Sequence, residues 1–178
     1  MRFNLFLSLT ALTIGLLMSC NRPSPDEFFQ TTVLNTNILN EFASERFAKS
    51  LVAETVEFPD MPDTKKKGDE AQQIVDNKIA YIEQTIKKIE DSTAPDEDGK
   101  VLQKAALDLF KFVLPVYQKE YKNLAKMCDQ KQTENEIMAE SEKIIETYGS
   151  AYEEKYVALL TLGQDYAEKH NLNVSFGN

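Results

Sequence analysis

The chain has 178 residues and a formal net charge of −9 at neutral pH, from 29 acidic and 20 basic side chains. This acidic balance argues against a nucleic-acid-binding protein, because a phosphate backbone has to be neutralised by lysine and arginine. Two cysteines and one histidine are too few for a cysteine-based zinc site, a disulfide framework or the paired Glu-x-x-His motifs of a di-iron centre.

The first 19 residues form a leader typical of exported proteins. A positive charge on Arg2 precedes an apolar run over residues 5–17, which is too short for a stable membrane span. The ending Leu17-Met18-Ser19-Cys20 resembles the lipobox of bacterial lipoproteins. In that class the cysteine thiol receives a diacylglycerol, cleavage falls just before the cysteine, and the new amino terminus is acylated, for instance with palmitate.

The resemblance implies a cleaved signal peptide over residues 1–19 and a lipid anchor with a short linker over residues 20–24. Several acyl chains bind a membrane firmly, at about 0.8 kcal/mol per buried methylene. By the same resemblance Asn21 favours the outer membrane, on either its periplasmic or its surface face, because in enterobacterial lipoproteins only an aspartate at that position causes retention in the inner membrane. An ordinary cleaved signal with an incidental cysteine at its edge is the competing interpretation.

Removing the leader takes away one basic residue, so the mature part carries 19 basic and 29 acidic side chains, a net charge of −10.

A long first helix is predicted over residues 25–56. Ser24-Pro25-Asp26-Glu27 is a capping box with proline at the first helical position. Apolar residues at steps of three and four then predict one buried face, made of Phe28, Phe29, Val33, Leu34, Ile38, Leu39, Phe42, Phe47 and Leu51. Pro59 and Pro62 mark the loop that follows.

Two further helices are predicted, over residues 69–91 and 100–129. The second helix has a coiled-coil-like apolar seam, formed by Val75, Ile79, Ile82, Ile86 and Ile89. The third helix follows an acidic turn and contains Pro115, which frees the carbonyl of Lys111 and predicts a kink. That kink either lets the helix wrap its neighbours or opens a cavity.

A second capping box, Thr133-Glu134-Asn135-Glu136, opens a fourth helix that reaches about His170. Gly149 could divide this helix, and residues 171–178 are expected to be a loose tail. Short connections between long helices imply antiparallel neighbours. The predicted fold is therefore all-α, an antiparallel up-down-up-down four-helix bundle over residues 25–170 with a kink at Pro115.

No motif indicates a catalytic or metal centre. His170 lies in the last turn of the predicted fourth helix, where a positive charge interacts favourably with the helix dipole. Aligning Gly99 with the sixth position of an EF-hand loop places Ala94 and Ala105 where calcium ligands belong, so the acidic turn at 96–98 is not predicted to bind calcium. We expect no metal, no cofactor and no enzyme activity.

Five tyrosines are candidate binding residues: Tyr117, Tyr121, Tyr148, Tyr152 and Tyr156. Such rings usually fill the edge of a core and keep the hydroxyl in water. The competing interpretation is an aromatic groove between the third and fourth helices, which would hold an apolar or sugar-like ligand or a partner's helix.

Lys65, Lys66 and Lys67 form the second candidate, either as a solvated loop or as a contact for an anionic protein partner. With a lipid attached just before the first helix, residues 57–68 and 128–133 would lie at the membrane-distal end. Cys128, also distal, is either a buried apolar residue or a cross-linking thiol.

The leader and the predicted bundle together resemble the helical-bundle surface lipoproteins of unknown function from Bacteroidetes and spirochaetes, and this resemblance implies localisation only. The expected function is a lipid-anchored, non-catalytic binding or scaffold module of the outer membrane or cell surface. A carrier of a small apolar ligand in an interhelical cavity is the alternative, and an enzyme without a recognisable motif is a third hypothesis.

Overall fold

The computed structural model describes residues 23–58, 60–61 and 64–174, and this part of the chain is all-helical, without a strand. The leader, Cys20 and residues 175–178 lie outside the described residues. In chain order the elements are α1 (Pro25–Thr32), a 3-10 helix (Leu34–Leu39), α2 (Glu45–Glu54), α3 (Glu70–Asp91), α4 (Glu97–Val116), a π-helical segment (Tyr117–Tyr121), α5 (Lys122–Asp129) and α6 (Glu134–Lys169).

The prediction of one continuous first helix over residues 25–56 is wrong. The chain changes to a 3-10 helix after Thr32, leaves helical structure near Asn40 and begins α2 only at Glu45. Hydroxyl groups explain part of the break, because the side chains of Thr32 and Thr36 donate to backbone carbonyls three or four residues earlier and such bonds compete with a regular helix. The apolar spacing still marks the inward face, since most of the predicted residues are buried: Phe28, Phe29, Val33, Leu39, Phe42, Phe47 and Leu51.

Both predicted capping boxes are present. Ser24 and Glu27 bond reciprocally at the start of α1, and Thr133 and Glu136 do the same at the start of α6. The predicted seam of α3 is buried along its whole length, at Val75, Ile79, Ile82, Ile86 and Ile89. In these elements local capping and apolar periodicity agree with the final packing.

The third predicted helix is one run made of α4, the π-helical segment and α5. It begins at Glu97 rather than near Lys100, because Asp96 caps it by accepting from the backbone N–H of Gly99 at 2.7 Å. Pro115 lies inside α4, and the π-helical turn begins two residues later. A change to π-helical hydrogen bonding, from residue i to residue i+5, therefore lies next to Pro115, where the sequence predicts a kink.

The fourth predicted helix, α6, runs through Gly149 without a break. After it, Leu172 and Val174 are partly buried against the core, so the chain stays in contact with the helices at least as far as Val174.

Two contacts join the end of one helix to the start of another. Asp129 at the end of α5 accepts from the N–H of Ala71 at the start of α3, 3.0 Å away. At the other end, the ammonium group of Lys169 in the last turn of α6 pairs with Asp96 just before α4, at 3.3 Å. These pairings are consistent with a bundle. Within the described ranges, no helix is both long and apolar enough to cross a membrane.

Candidate functional site

The loop between α2 and α3 exposes large apolar side chains at one end of the molecule. Phe58 is 56% exposed, Met61 60% and Val56 41%. Thr64 connects the backbone of two of these residues, because its hydroxyl accepts from the N–H of Phe58 at 2.9 Å and donates to the carbonyl of Met61 at 2.7 Å. We call the surface formed by Val56, Phe58, Met61 and Lys65–Lys67 the tip.

The predicted lysine run lies next to these apolar side chains. Lys65 and Lys67 are exposed and Lys66 is half-buried. Acidic side chains fix the backbone of the run, since Glu57 accepts from the N–H of Lys66 at 3.1 Å and Glu70 accepts from the N–H of Lys67 at 2.6 Å. The pKa of Glu70 lies below its ordinary value, chiefly because of the bond from Lys67. The lysine run is therefore part of a structured loop.

Cys128 lies near the same end but does not contribute a reactive group. It is 1% exposed, and burial raises the pKa of its thiol to about 11. A neutral, buried thiol packs as a small apolar residue.

The five candidate tyrosines divide into two groups. Tyr117 and Tyr121 are fully buried core residues, with ring centroids 4.7 Å apart, and they do not line a groove. Tyr148, Tyr152 and Tyr156 are partly buried on α6. The predicted groove between the third and fourth helices is therefore not built from all five rings.

A groove of about 440 Å³ does lie beside α6, but its other wall is the turn that follows the 3-10 helix. That turn contributes Phe42 and Ala43, and α6 contributes Ile145, Gly149, Ser150, Tyr152, Glu153 and Tyr156. This wall exists because the predicted first helix is interrupted. A prediction of one continuous helix over residues 25–56 therefore does not include it.

Tyrosine hydroxyls hold the turn against α6. Tyr152 donates to the carbonyl of Leu39 at 2.9 Å, and Tyr156 donates to Oδ1 of Asn40 at 3.4 Å. From the core side, the hydroxyl of Tyr121 accepts from the N–H of Ala43 at 2.8 Å. Ala43 has φ of 49°, a left-handed conformation that is uncommon outside glycine, so the bond from Ala43 to Tyr121 supports a strained residue.

The acidic turn before α4 has a structural role in the described residues. Asp96 caps α4, and its carboxylate also lies 3.1 Å from Nε2 of His170. The pKa of Asp96 is lowered, first by the bond from Gly99 and then by Lys169. No group of three or more His, Cys, Asp or Glu side chains among the described residues is arranged to hold a metal ion.

Comparison with protein-family models, curated proteins and solved structures finds no match for this chain.

The exposed apolar residues of the tip were not predicted from the sequence. Phe58 and Met61 lie between and beside prolines in a segment with no helical period, where apolar side chains have no core face to occupy. Large apolar residues in a proline-containing segment without helical periodicity are therefore the sequence pattern that indicates this exposed group.

Proposed function

We propose that this protein is a lipid-anchored, non-catalytic binding or scaffold module that engages a protein partner through its tip. The observation that supports this most directly is the clustering of Val56, Phe58 and Met61, three large apolar side chains exposed within six residues of chain. Scattered single apolar residues are normal on a surface, whereas several exposed within one short loop beside charged residues are typical of an interaction site.

The proposed architecture is an up-down-up-down four-helix bundle. In it, α1, the 3-10 helix and α2 form the first rod, α3 the second, the run from α4 to α5 the third, and α6 the fourth. The antiparallel pairings between the helix ends support this arrangement.

Anchor and tip lie at opposite ends in this proposal. Phe28 in α1 packs on Tyr166 near the end of α6, with ring centroids 5.9 Å apart. Thr55, after α2, accepts from Lys131, just before α6 begins. The 36 residues of α6 span about 54 Å between these ends. A lipid on Cys20 would therefore hold the tip away from the outer membrane, on whichever face the protein is exposed.

Site-specific photo-crosslinking in the producing cells tests the tip. A photoreactive residue at position 58 or 61 is expected to give a discrete adduct with one protein, because a docked apolar side chain is held within bonding distance. Val101 and Val157 provide matched control positions, since they are 53% and 54% exposed but lie on other surfaces. The same adduct from the control positions, or none from the tip, would contradict the proposal.

The lysines are tested separately. Changing Lys65, Lys66 and Lys67 to glutamine is expected to reduce the yield of the adduct from position 58, because the proposed partner carries complementary acidic groups. Changing Lys87, Lys100 and Lys104 removes the same charge elsewhere and is expected to leave the yield unchanged.

The alternative, a carrier with an apolar cavity near Pro115, requires space around the tyrosines. Tyr117 and Tyr121 are packed tightly against Phe42 and Phe47 instead. Native mass spectrometry tests this alternative, which predicts an added mass that is lost on denaturation.

A further inference from the structure

The groove beside α6 combines aromatic rings with one carboxylate. Phe42, Tyr152 and Tyr156 line it, with ring centroids 4.7 Å apart for Phe42 and Tyr152 and 5.5 Å apart for the two tyrosines. Glu153 is exposed and lines the same groove. The small residues Gly149 and Ser150 leave space next to the rings.

The tyrosine rings are fixed before any ligand arrives. The hydroxyl of Tyr152 donates to the carbonyl of Leu39 at the end of the 3-10 helix, and the hydroxyl of Tyr156 donates to Oδ1 of Asn40 in the turn that follows. A site whose rings are already oriented loses little conformational entropy on binding.

The charges around the groove favour a cation. None of the residues lining it is basic, and Lys155, a neighbour on α6, has its ammonium group 5.6 Å from the ring of Phe112 instead. The whole chain carries a net charge of −9, which attracts cations over a longer range. The face of an aromatic ring attracts cations too, and several rings around a quaternary ammonium group are a recurrent recognition mode.

We propose that the groove formed by Phe42, Tyr152, Tyr156 and Glu153 binds a small organic cation of the quaternary ammonium class. The partly exposed rings of Tyr152 and Tyr156 contact the methyl groups around the nitrogen, and the Glu153 carboxylate balances the positive charge. Phe42 is only 3% exposed and supports Tyr152 from the core side. No bond is made or broken, so the site binds and does not catalyse. This proposal is independent of the tip.

The decisive comparison uses choline and its neutral carbon isostere, 3,3-dimethylbutan-1-ol. The two molecules have nearly the same shape, so the difference in affinity reports the charge. Titrations of the intact protein are followed by NMR shifts of the tyrosine ring signals, at constant ionic strength. Choline is expected to bind about two- to fivefold more tightly than the isostere, as expected for an exposed cation–π site.

Variants locate the site. Glu153→Gln and Tyr156→Leu are each expected to weaken choline binding, whereas Glu154→Gln, which changes the neighbouring carboxylate outside the groove, leaves it unchanged. Tyr81→Leu is the matched control for loss of a partly exposed tyrosine. Gly149→Leu blocks the groove without introducing a residue that disfavours a helix, and it is expected to abolish binding while the circular dichroism spectrum stays helical.

Three results would overturn the proposal. These are no saturable shift with choline, equal binding of choline and the neutral isostere, or an equal loss of affinity in Glu153→Gln and Glu154→Gln. The second result would indicate an apolar groove, and the third a general effect of net charge.

Discussion

Removing the hydroxyl groups of two stacked core tyrosines is expected to change the free energy of unfolding differently. The hydroxyl of Tyr117 is buried and has no hydrogen-bond partner among the described residues, whereas that of Tyr121 accepts from Ala43. Tyr117→Phe removes a desolvated group without breaking a bond, so we expect the free energy of unfolding to stay the same or rise by up to about 1 kcal/mol. Tyr121→Phe leaves the Ala43 N–H unpaired and is expected to lower it by about 1–2 kcal/mol.

Urea unfolding followed by circular dichroism measures the free energy of unfolding of both variants. Each variant serves as the control for the other, because both substitutions remove a tyrosine hydroxyl. Equal losses of stability in the two variants would show that the Tyr117 hydroxyl makes a hydrogen bond in the folded protein.

Asp129 connects two helices through a single buried carboxylate. It is 9% exposed and accepts from the backbone N–H groups of Ala71 and Gln72, at 3.0 and 3.1 Å. Asp129→Ala would remove the acceptor for the first turn of α3, so we expect a loss of about 2–3 kcal/mol in the free energy of unfolding. Asp108→Ala is the matched control, because Asp108 makes only an exposed pair with Lys104 and is expected to cost less than about 0.5 kcal/mol. Similar losses in the two variants would refute the capping role of Asp129.

At the scale of elements, local patterns predicted the helices whose interior is regular. The seam of α3 and the capping boxes of α1 and α6 needed only spacing and cap residues, and the structure has them where the sequence places them. The first helix was predicted too long because periodicity reports which face is buried and is insensitive to a short 3-10 stretch. The path of the chain from Leu39 to Ala43 depends on hydroxyls of Tyr121 and Tyr152, which are 78 and 113 residues from their partners in the chain. Local reasoning cannot include such bonds.

Two glycines of α6 are expected to respond differently to alanine. A Cβ at Gly149 would meet its nearest neighbours at 3.8 Å, whereas a Cβ at Gly163 would lie 3.1 and 3.2 Å from the methyl groups of Val33. Alanine is favoured over glycine in a helix by about 0.8–1 kcal/mol, so Gly149→Ala should raise the midpoint of thermal unfolding. At Gly163 the crowding against Val33 offsets that gain, and we expect Gly163→Ala to unfold at a lower temperature than Gly149→Ala. The reverse order would show that Val33 can move away at little cost.

At the scale of the whole molecule, the candidate sites were predicted less completely than the helices. The lysine run was visible because three basic residues are adjacent in an acidic chain, but the exposure of Phe58 and Met61 follows from the turn around Thr64. Of the candidate tyrosines, Tyr152 and Tyr156 lie in one wall of the groove beside α6. The opposite wall of the groove could not be predicted, since it comes from the unrecognised turn at Phe42 and Ala43.

Both the net charge of the chain and the carboxylates of the two capping boxes make the stability of the fold depend on pH. Hydrogen bonds within the boxes lower the pKa of Glu27, chiefly through the backbone N–H of Ser24, and that of Glu136, chiefly through the side chain of Thr133. A carboxyl group with a lowered pKa binds its proton more weakly in the folded state than in the unfolded state. Its contribution is therefore complete above the ordinary glutamate value of 4.5 and is lost as the pH falls through the folded-state pKa.

The double variant Glu27→Gln/Glu136→Gln isolates this contribution from the self-repulsion of the acidic chain. Glutamine can still complete a capping box but carries no charge and does not titrate. We therefore expect the variant to have a lower thermal midpoint than wild type at neutral pH and a smaller loss below about pH 4.5. Glu142→Gln/Glu146→Gln removes the same charge from exposed positions on α6 and controls for the change in net charge. If this control flattened the acid limb as much as the capping variant, repulsion across the whole surface, and not the helix starts, would set the acid sensitivity of the fold.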